Sequence, residues 1–352
     1  MTTIQLNVHF LNDRKPHFER LSEGRIYYID FINCYNTMAA NLLFLVLKLE
    51  IIMKKLGLAT ALVLAMTGAH AYQVEVQGQS EYVDTTANDK DFTGAAKGTY
   101  YFKNVDASKG PLAEAAFLNQ ASNVSAAYNF AKVSGDEIET VKNNSFGAKG
   151  EVYLPTPYVP AYASAAYSHS QTKFEDEKDN GDRYSVELGA MVLPNFLVAV
   201  GYTRVADQIA LDANKALENG VFSAVADAAT IGDKQDVVTA RTKYVGNIDG
   251  TNMAVGFETG LVYGDNQAYG LKTDLYLTPK LSVGASYAEA NFSKNPTNED
   301  FRQIKSAWGT NVNYFITPAI AVGASYVNAN AKHADADLGD TQTVGVNAKF
   351  RF

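Results

Sequence analysis

Hydrolytic chemistry in this chain would have to start from its histidines, and there are few. The 352 residues include five His and a single Cys, Cys34. Beyond residue 71 the histidines are His169 and His333. Ser168 and Ser170 flank His169, but neighbours on a strand point to opposite faces, so the triplet does not make a nucleophile–base pair. No Gly-rich phosphate loop stands between a strand and a helix. The acidic stretch Asp176 to Asp182 lacks the spacing of a calcium loop and reads as a solvated surface segment. A net charge of −8 without a basic run speaks against a nucleic-acid partner. No enzyme, metal site or cofactor is expected.

Recognition of small solutes by fixed charges has better candidates. In the last run of the chain, Val344, Val346, Ala348, Phe350 and Phe352 fall on one face, while Gly345, Asn347, Lys349 and Arg351 fall on the other. If the aromatic face meets lipid, Lys349 and Arg351 face an interior. The same parity places Lys97, Lys103, Lys149, Arg183, Arg241, Lys243, Lys272 and Lys305 inside, with the acids Glu75, Glu81, Glu151, Glu187, Glu258 and Asp274. A Lys or Arg turned to lipid at mid-bilayer costs about 2–4 kcal/mol, which forces the placement at mid-strand and leaves it weak near the ends. Such charges either meet a permeating solute or satisfy one another and stiffen the wall.

The elements that must position them follow from alternation. The chain is 47% hydrophobic yet its mean hydropathy is −0.15. Apolar residues are therefore interleaved with polar ones, as in strands with unlike faces. Strands are predicted at about 73–83, 96–102, 123–132, 145–154, 161–170, 183–193, 196–205, 237–245, 251–262, 268–277, 281–290, 303–316, 320–330 and 342–352, about 14 of a length that suits a tilted membrane strand. Connections alternate between short turns and mostly longer, charged segments. The turns include Pro155–Pro157, Pro194-Asn195, Asn247–Gly250, Thr278–Lys280 and Thr317–Ala319; the longer segments include Lys173–Asp179 and Asp207–Asp236. A near-repeat places Leu281 six residues before Tyr287 and Ile320 six before Tyr326, with Phe196 and Tyr202 a looser copy. Six residues span about 20 Å, which carries each tyrosine toward an outer aromatic girdle. The expected fold is all-β: a transmembrane antiparallel up-and-down barrel. A soluble β-sandwich leaves the turn–loop alternation unexplained.

The first residues have a different character. Residues 53–71 combine Lys54 and Lys55, an apolar stretch from Leu56 to Met66, and the small-x-small site Ala69-His70-Ala71. That is a secretory signal, with cleavage expected between Ala71 and Tyr72. Residues 1–52 are expected to be an upstream, misassigned extension; a genuine anchor at Leu42–Leu47 is the alternative. The barrel then occupies 72–352.

One connection breaks the pattern. Asn104–Ala121 joins the second and third strands on the side of the termini, where turns are short. Within it, Gly110-Pro111 followed by Leu112 to Leu118 reads as a short helix with Pro in its first turn. Its apolar side is expected to fold into the barrel mouth, with Pro111, Leu112, Phe117 and Leu118 as the constriction; packing on the rim is the alternative. Eight-stranded barrels fill themselves and 16–18 strands leave open water, so about 14 strands leave a narrow lumen that one inward loop could close.

The C-terminal Lys349-Phe350-Arg351-Phe352 resembles the signal read by the barrel assembly machinery, with Phe352 its key residue. Tyr72–Gly78, Gly110–Gln120 and Tyr202–Gln208 resemble the porin family of non-fermenting Gram-negative bacteria, over nearly all of residues 53–352. The resemblance implies an outer-membrane channel for passive diffusion of water and small polar solutes, possessing no transferable catalytic motif. Its other expected partners are outer-membrane lipid and lipopolysaccharide. An adhesin or receptor barrel with external binding loops and a closed lumen is the alternative.

Overall fold

The computed structural model describes residues 71–85, 88–135, 138–174, 177–206, 212–214, 221–230, 234–292, 303–333 and 336–352. The expectations for residues 1–52 and for the export signal up to His70 lie outside the described residues.

Among the described residues, fourteen antiparallel strands close into one barrel. They are β1 Ala71–Thr85, β2 Asn88–Asp106, β3 Asn123–Gly135, β4 Ile138–Leu154, β5 Ala161–Phe174, β6 Glu177–Leu193 and β7 Phe196–Val205. After a long insertion come β8 Gln235–Asn247, β9 Ala254–Tyr263, β10 Gln267–Thr278, β11 Leu281–Asn291, β12 Gln303–Thr317, β13 Ile320–His333 and β14 Ala336–Arg351. Each strand pairs with its sequence neighbours, and β1 meets β14 from Glu75↔Arg351 to Thr85↔Thr341. Closure leaves no free sheet edge, the condition a sheet must meet in hydrocarbon, where no water satisfies an open N–H or C=O. Among the described residues no helix is long and apolar enough to cross a membrane.

The alternating faces sort as the period dictates. Val344, Val346, Phe350 and Phe352 are exposed outward, and so are Val200, Leu261, Leu271 and Val283 on other strands. Tyr202 and Tyr287 are exposed too, their hydroxyls donating to Asp236 at 2.6 Å and Glu289 at 3.0 Å. Trp308 stacks against Tyr326 at 5.5 Å. An apolar band with aromatic side chains whose polar tips find partners is what a lipid–water interface selects.

The near-repeat has a local cause. Thr278 Oγ1 accepts from the backbone N–H of Lys280 at 3.2 Å and of Leu281 at 3.0 Å, and Thr317 Oγ1 accepts from Ala319 at 3.3 Å. Pro supplies the fixed φ of a tight turn and no donor, while Thr satisfies the N–H groups that follow. These turns sit at the barrel end that carries Ala71 and Phe352, and short turns mark the periplasmic end of outer-membrane barrels.

Two features differ from the sequence expectation. Strands run further at the opposite end: the charged stretch Lys173–Asp179 is largely ladder, with Thr172↔Asp179 and Phe174↔Glu177 paired. Beyond the bilayer both faces of a hairpin are wet, so the hydrogen-bonded ladder continues after the hydropathy alternation has stopped. Thr251–Met253 is turn rather than strand: Ile248 donates to Met253 O at 2.9 Å and Thr251 to Ile248 O at 3.1 Å.

The lumen as candidate functional site

Two segments enter the barrel, one from each end. The periplasmic one links β2 to β3 through a 3₁₀ turn, Leu112–Glu114, and a four-residue helix, α1, Ala115–Leu118. Gly110 precedes it at φ +81°, where a Cβ would be strained and would lie 2.9 Å from Leu118 Cδ1. Leu112 is buried against Ala107, Phe315 and Ala321. Ala115 packs with Tyr72, Tyr101 and Val105. Phe117 is buried on the far side among Tyr162, Met191, Leu197, Val245 and Tyr276, with Leu118 partly buried beside it. The segment therefore touches the wall nearly all round.

Polar contacts fix it. Leu112 donates its N–H to Pro279 O at 2.8 Å and its carbonyl accepts from Arg351 Nη1 at 2.8 Å. The Arg351 guanidinium lies 4.4 Å from the Tyr72 ring and 4.7 Å from the Phe315 ring, and its Nε donates to Glu75 at 2.7 Å. Glu114 meets Lys243 at 2.9 Å and accepts from the Tyr276 hydroxyl at 2.8 Å. Burial pushes the Glu114 carboxyl up, but the Lys243 ammonium, the Lys272 charge and the Tyr276 hydroxyl together outweigh it and hold the group down at about 2. That attraction is complete above the usual carboxylate value of 4.5 and fades only as pH falls toward 2.

The second insertion is the segment between β7 and β8. Sequence placed Asp207–Asp236 outside as a surface loop; residues 212–214 and 221–230 of it pack inside instead. Helix α2, Val221–Ala229, buries Val221, Val225, Ala226 and Ala229 against a wall of small residues: Ala268, Ala288, Ala290 and Ala307, with Val237 and Val262. The Phe222 ring lies where a Cβ at Gly260 would collide, and 2.6 Å from a Cβ placed at Gly270. Arg183 pairs with Asp227 at 3.0 Å and donates to Thr230 at 3.0 Å. On the other wall Ser168 Oγ accepts from the Ala213 N–H at 3.2 Å, and Ser125 Oγ lies 3.5 Å from Asn214 Oδ1.

Between the insertions is a chamber of about 350 Å³. Glu151, Arg241, Lys243, Glu258, Lys272, Asp274 and Lys349 line it, together with Glu114, Phe117 and Val221 from the insertions. Lys149 meets Glu151 at 2.9 Å; Arg241 meets Glu187 at 3.1 Å and Glu258 at 3.6 Å; Lys272 meets Asp274 at 3.4 Å; Lys349 meets Glu75 at 3.0 Å. The Tyr162 hydroxyl joins two of these pairs, donating to Glu151 at 2.7 Å and accepting from Arg241 at 3.0 Å. Arg183 and Arg351 also point inward but are only 2% exposed. They hold the insertions and do not border open space.

Parity misplaced two lysines. Lys103 and Lys305 are exposed, because each falls within a bulge, Lys103 between the pairs Tyr72↔Val105 and Val74↔Tyr100 and Lys305 between Ile304 and Ser306, where the alternation is interrupted. Parity also missed two acids, Glu114 and Asp227, which come from the insertions and not from a strand. Ten bases against six acids thus become eight against eight among the residues named here. Ser168 and Ser170 face inward and are buried, while His169 stacks outward on Phe146 at 5.2 Å and meets Asp182 at 2.8 Å. No Ser–His pair is assembled there.

A sequence profile of the family described as "Putative general bacterial porin" matches residues 46–352. The chain belongs to that porin family. The crystal structure of the Acinetobacter baumannii outer membrane protein Omp33 is similar at 54% identity and a TM-score of 0.57, over 80% of this chain and 99% of that one. The Pseudomonas putida toluene transporter TodX matches at 8% identity and a TM-score of 0.44, over 79% of this chain and 88% of that one. A similarity that low carries no argument. No curated relative matches the chain. This porin is an outer-membrane β-barrel, and its lumen is the place to look for function.

Asp227→Ala removes a carboxylate paired with the buried Arg183, a loss of about 3–5 kcal/mol in comparable pairs. Hydrogen exchange across Val221–Ala229 is expected to speed up while the strand amides stay protected. Unchanged exchange in α2 would show that the pair does not hold it.

Proposed function

We propose that this porin lets water and small polar solutes diffuse passively across the outer membrane through a narrow lumen restricted at both ends. The observation that carries this is the chamber itself: a polar, charge-lined space of about 350 Å³ inside a closed barrel whose outer face is apolar. A barrel that served only as a scaffold would have no need of unfilled polar space at its centre, since desolvated charge is costly to keep. The balanced ion pairs favour weak selectivity between cations and anions. An external-loop adhesin gains little from the Asp207–Asp236 segment, because residues 212–214 and 221–230 of it turn inward.

Pro111, Leu112, Phe117 and Leu118 form the periplasmic constriction in this proposal, and α2 forms the outer one. Two restrictions in series add their resistances, so opening one end gains only part of what opening both would. Export by the signal at 53–71, with removal up to Ala71, would make Tyr72 the first residue of β1, beside Arg351 at the seam. The terminal Phe352 would then present the strand to the barrel assembly machinery, and the aromatic band would rest among outer-membrane lipid and lipopolysaccharide.

Deleting Pro111–Leu118 is expected to raise single-channel conductance in planar bilayers, and deleting Val221–Ala229 as well is expected to raise it further. A folded double-deletion variant with wild-type conductance would remove both segments from the mechanism. Intact mass of protein extracted from outer membranes is expected to correspond to residues 72–352; retention of residues 53–71 would refute cleavage.

A further inference from the structure

The chamber has two unlike walls. From β4 round to β10 the lining is ionic, and its charges are matched at close range: Arg241 with Glu187, Lys243 with Glu114, Lys272 with Asp274, and Glu151 with the buried Lys149 behind it. From β11 through β14 to β1 much of the lining is amide and hydroxyl. Register sets these groups in two rows. Asn313 lies opposite Gly323, Gly323 opposite Asn347, and Asn347 opposite Gln79, so three amides share one level. One step toward the extracellular end, Asn311 lies opposite Ser325 and Ser325 opposite Gly345.

Inward-facing glycines make room for these rows. A Cβ on Gly323 would collide with Asn313 Oδ1 and lie 2.7 Å from Asn347 Nδ2. One on Gly284 would collide with Asn311 Oδ1, and one on Gly345 would lie 2.5 Å from Ser325 Oγ. The side chains thus lie along bare backbone and leave the chamber open. Asn311, Asn313, Asn347 and Ser325 all line it, and none makes a side-chain hydrogen bond to another described residue. An amide offers two donors and an acceptor, the complement of a hydroxyl, which both donates and accepts.

We infer that the chamber accepts uncharged polyhydroxyl solutes, polyols and monosaccharides, in preference to charged solutes of equal size, with Asn311, Asn313 and Asn347 determining specificity; this rests on the porin reading above. The ionic wall has its charges already matched at short range, so a charged solute gives up hydration without gaining an unpaired counter-charge. A neutral polyol loses less and finds unspent amides on the facing wall. The volume is at the lower end of small-molecule sites, which suits one such solute at a time.

The test is swelling of proteoliposomes holding the full barrel, in glucose, gluconate and glucosamine at equal osmolarity. Glucose is expected to enter fastest, with both charged analogues slower. Asn313→Leu and Asn347→Leu are each expected to slow glucose by roughly threefold, the worth of one net hydrogen bond, and to slow gluconate less. Gluconate or glucosamine entering as fast as glucose would overturn the inference with the porin reading intact, and that ranking requires no variant. Leucine variants that slow all three solutes equally would overturn it too, since bulk and not hydrogen bonding would then be limiting. No entry of any solute above protein-free liposomes would overturn the porin reading itself.

Discussion

The requirement that every backbone polar group inside hydrocarbon find a partner within the chain governs the rest of this structure. It forces the sheet to close, and the seam between β1 and β14 is where closure is made. Glu75 stands opposite Arg351 there, and Gln73 and Val74 donate backbone N–H groups to the carbonyl of Phe352. Arg351 does more than join two strands. Its guanidinium is held between Tyr72 and Phe315 and binds the Leu112 carbonyl, so the residue that secures the seam also anchors the periplasmic insertion.

Once closed, the barrel must separate its faces, and charge goes inside. Charges confined to a narrow lumen are only partly hydrated, and unpaired they would be costly. Pairing along the wall accounts for most of them. Pairing to the insertions accounts for Lys243 through Glu114 and for Arg183 through Asp227. The insertions are therefore electrostatic partners of the wall as well as apolar plugs. Balance within the lumen and restriction at its ends arise from the same contacts.

The fourteen strands were legible because lipid imposes a strict period of two, and the turns because Pro and Thr have local reasons to be there. The extracellular strand ends were less legible: water on both faces erases the alternation while the ladder persists, as in Thr172↔Asp179. Lys103 and Lys305 misled because a bulge interrupts the alternation without changing composition. The periplasmic insertion could be read from an over-long connection with an apolar helix. Helix α2 could not be read from its own length, which suggests an external loop. The usable signal lay elsewhere: Gly260, Ala268, Gly270, Ala288, Ala290 and Ala307 are small or apolar at positions whose parity faces the lumen. A polar lumen has no use for such a patch unless something apolar covers it, and Val221, Phe222 and Val225 do.

The central claim is that a polar path crosses this barrel despite the insertions at both ends. Stopped-flow light scattering on proteoliposomes tests it most directly, by the rate of shrinkage after an osmotic step. Water efflux is expected to be faster than from protein-free liposomes of the same lipid, with a lower activation energy than lipid alone shows. Efflux equal to that of bare lipid, from a barrel shown to be folded, would contradict it.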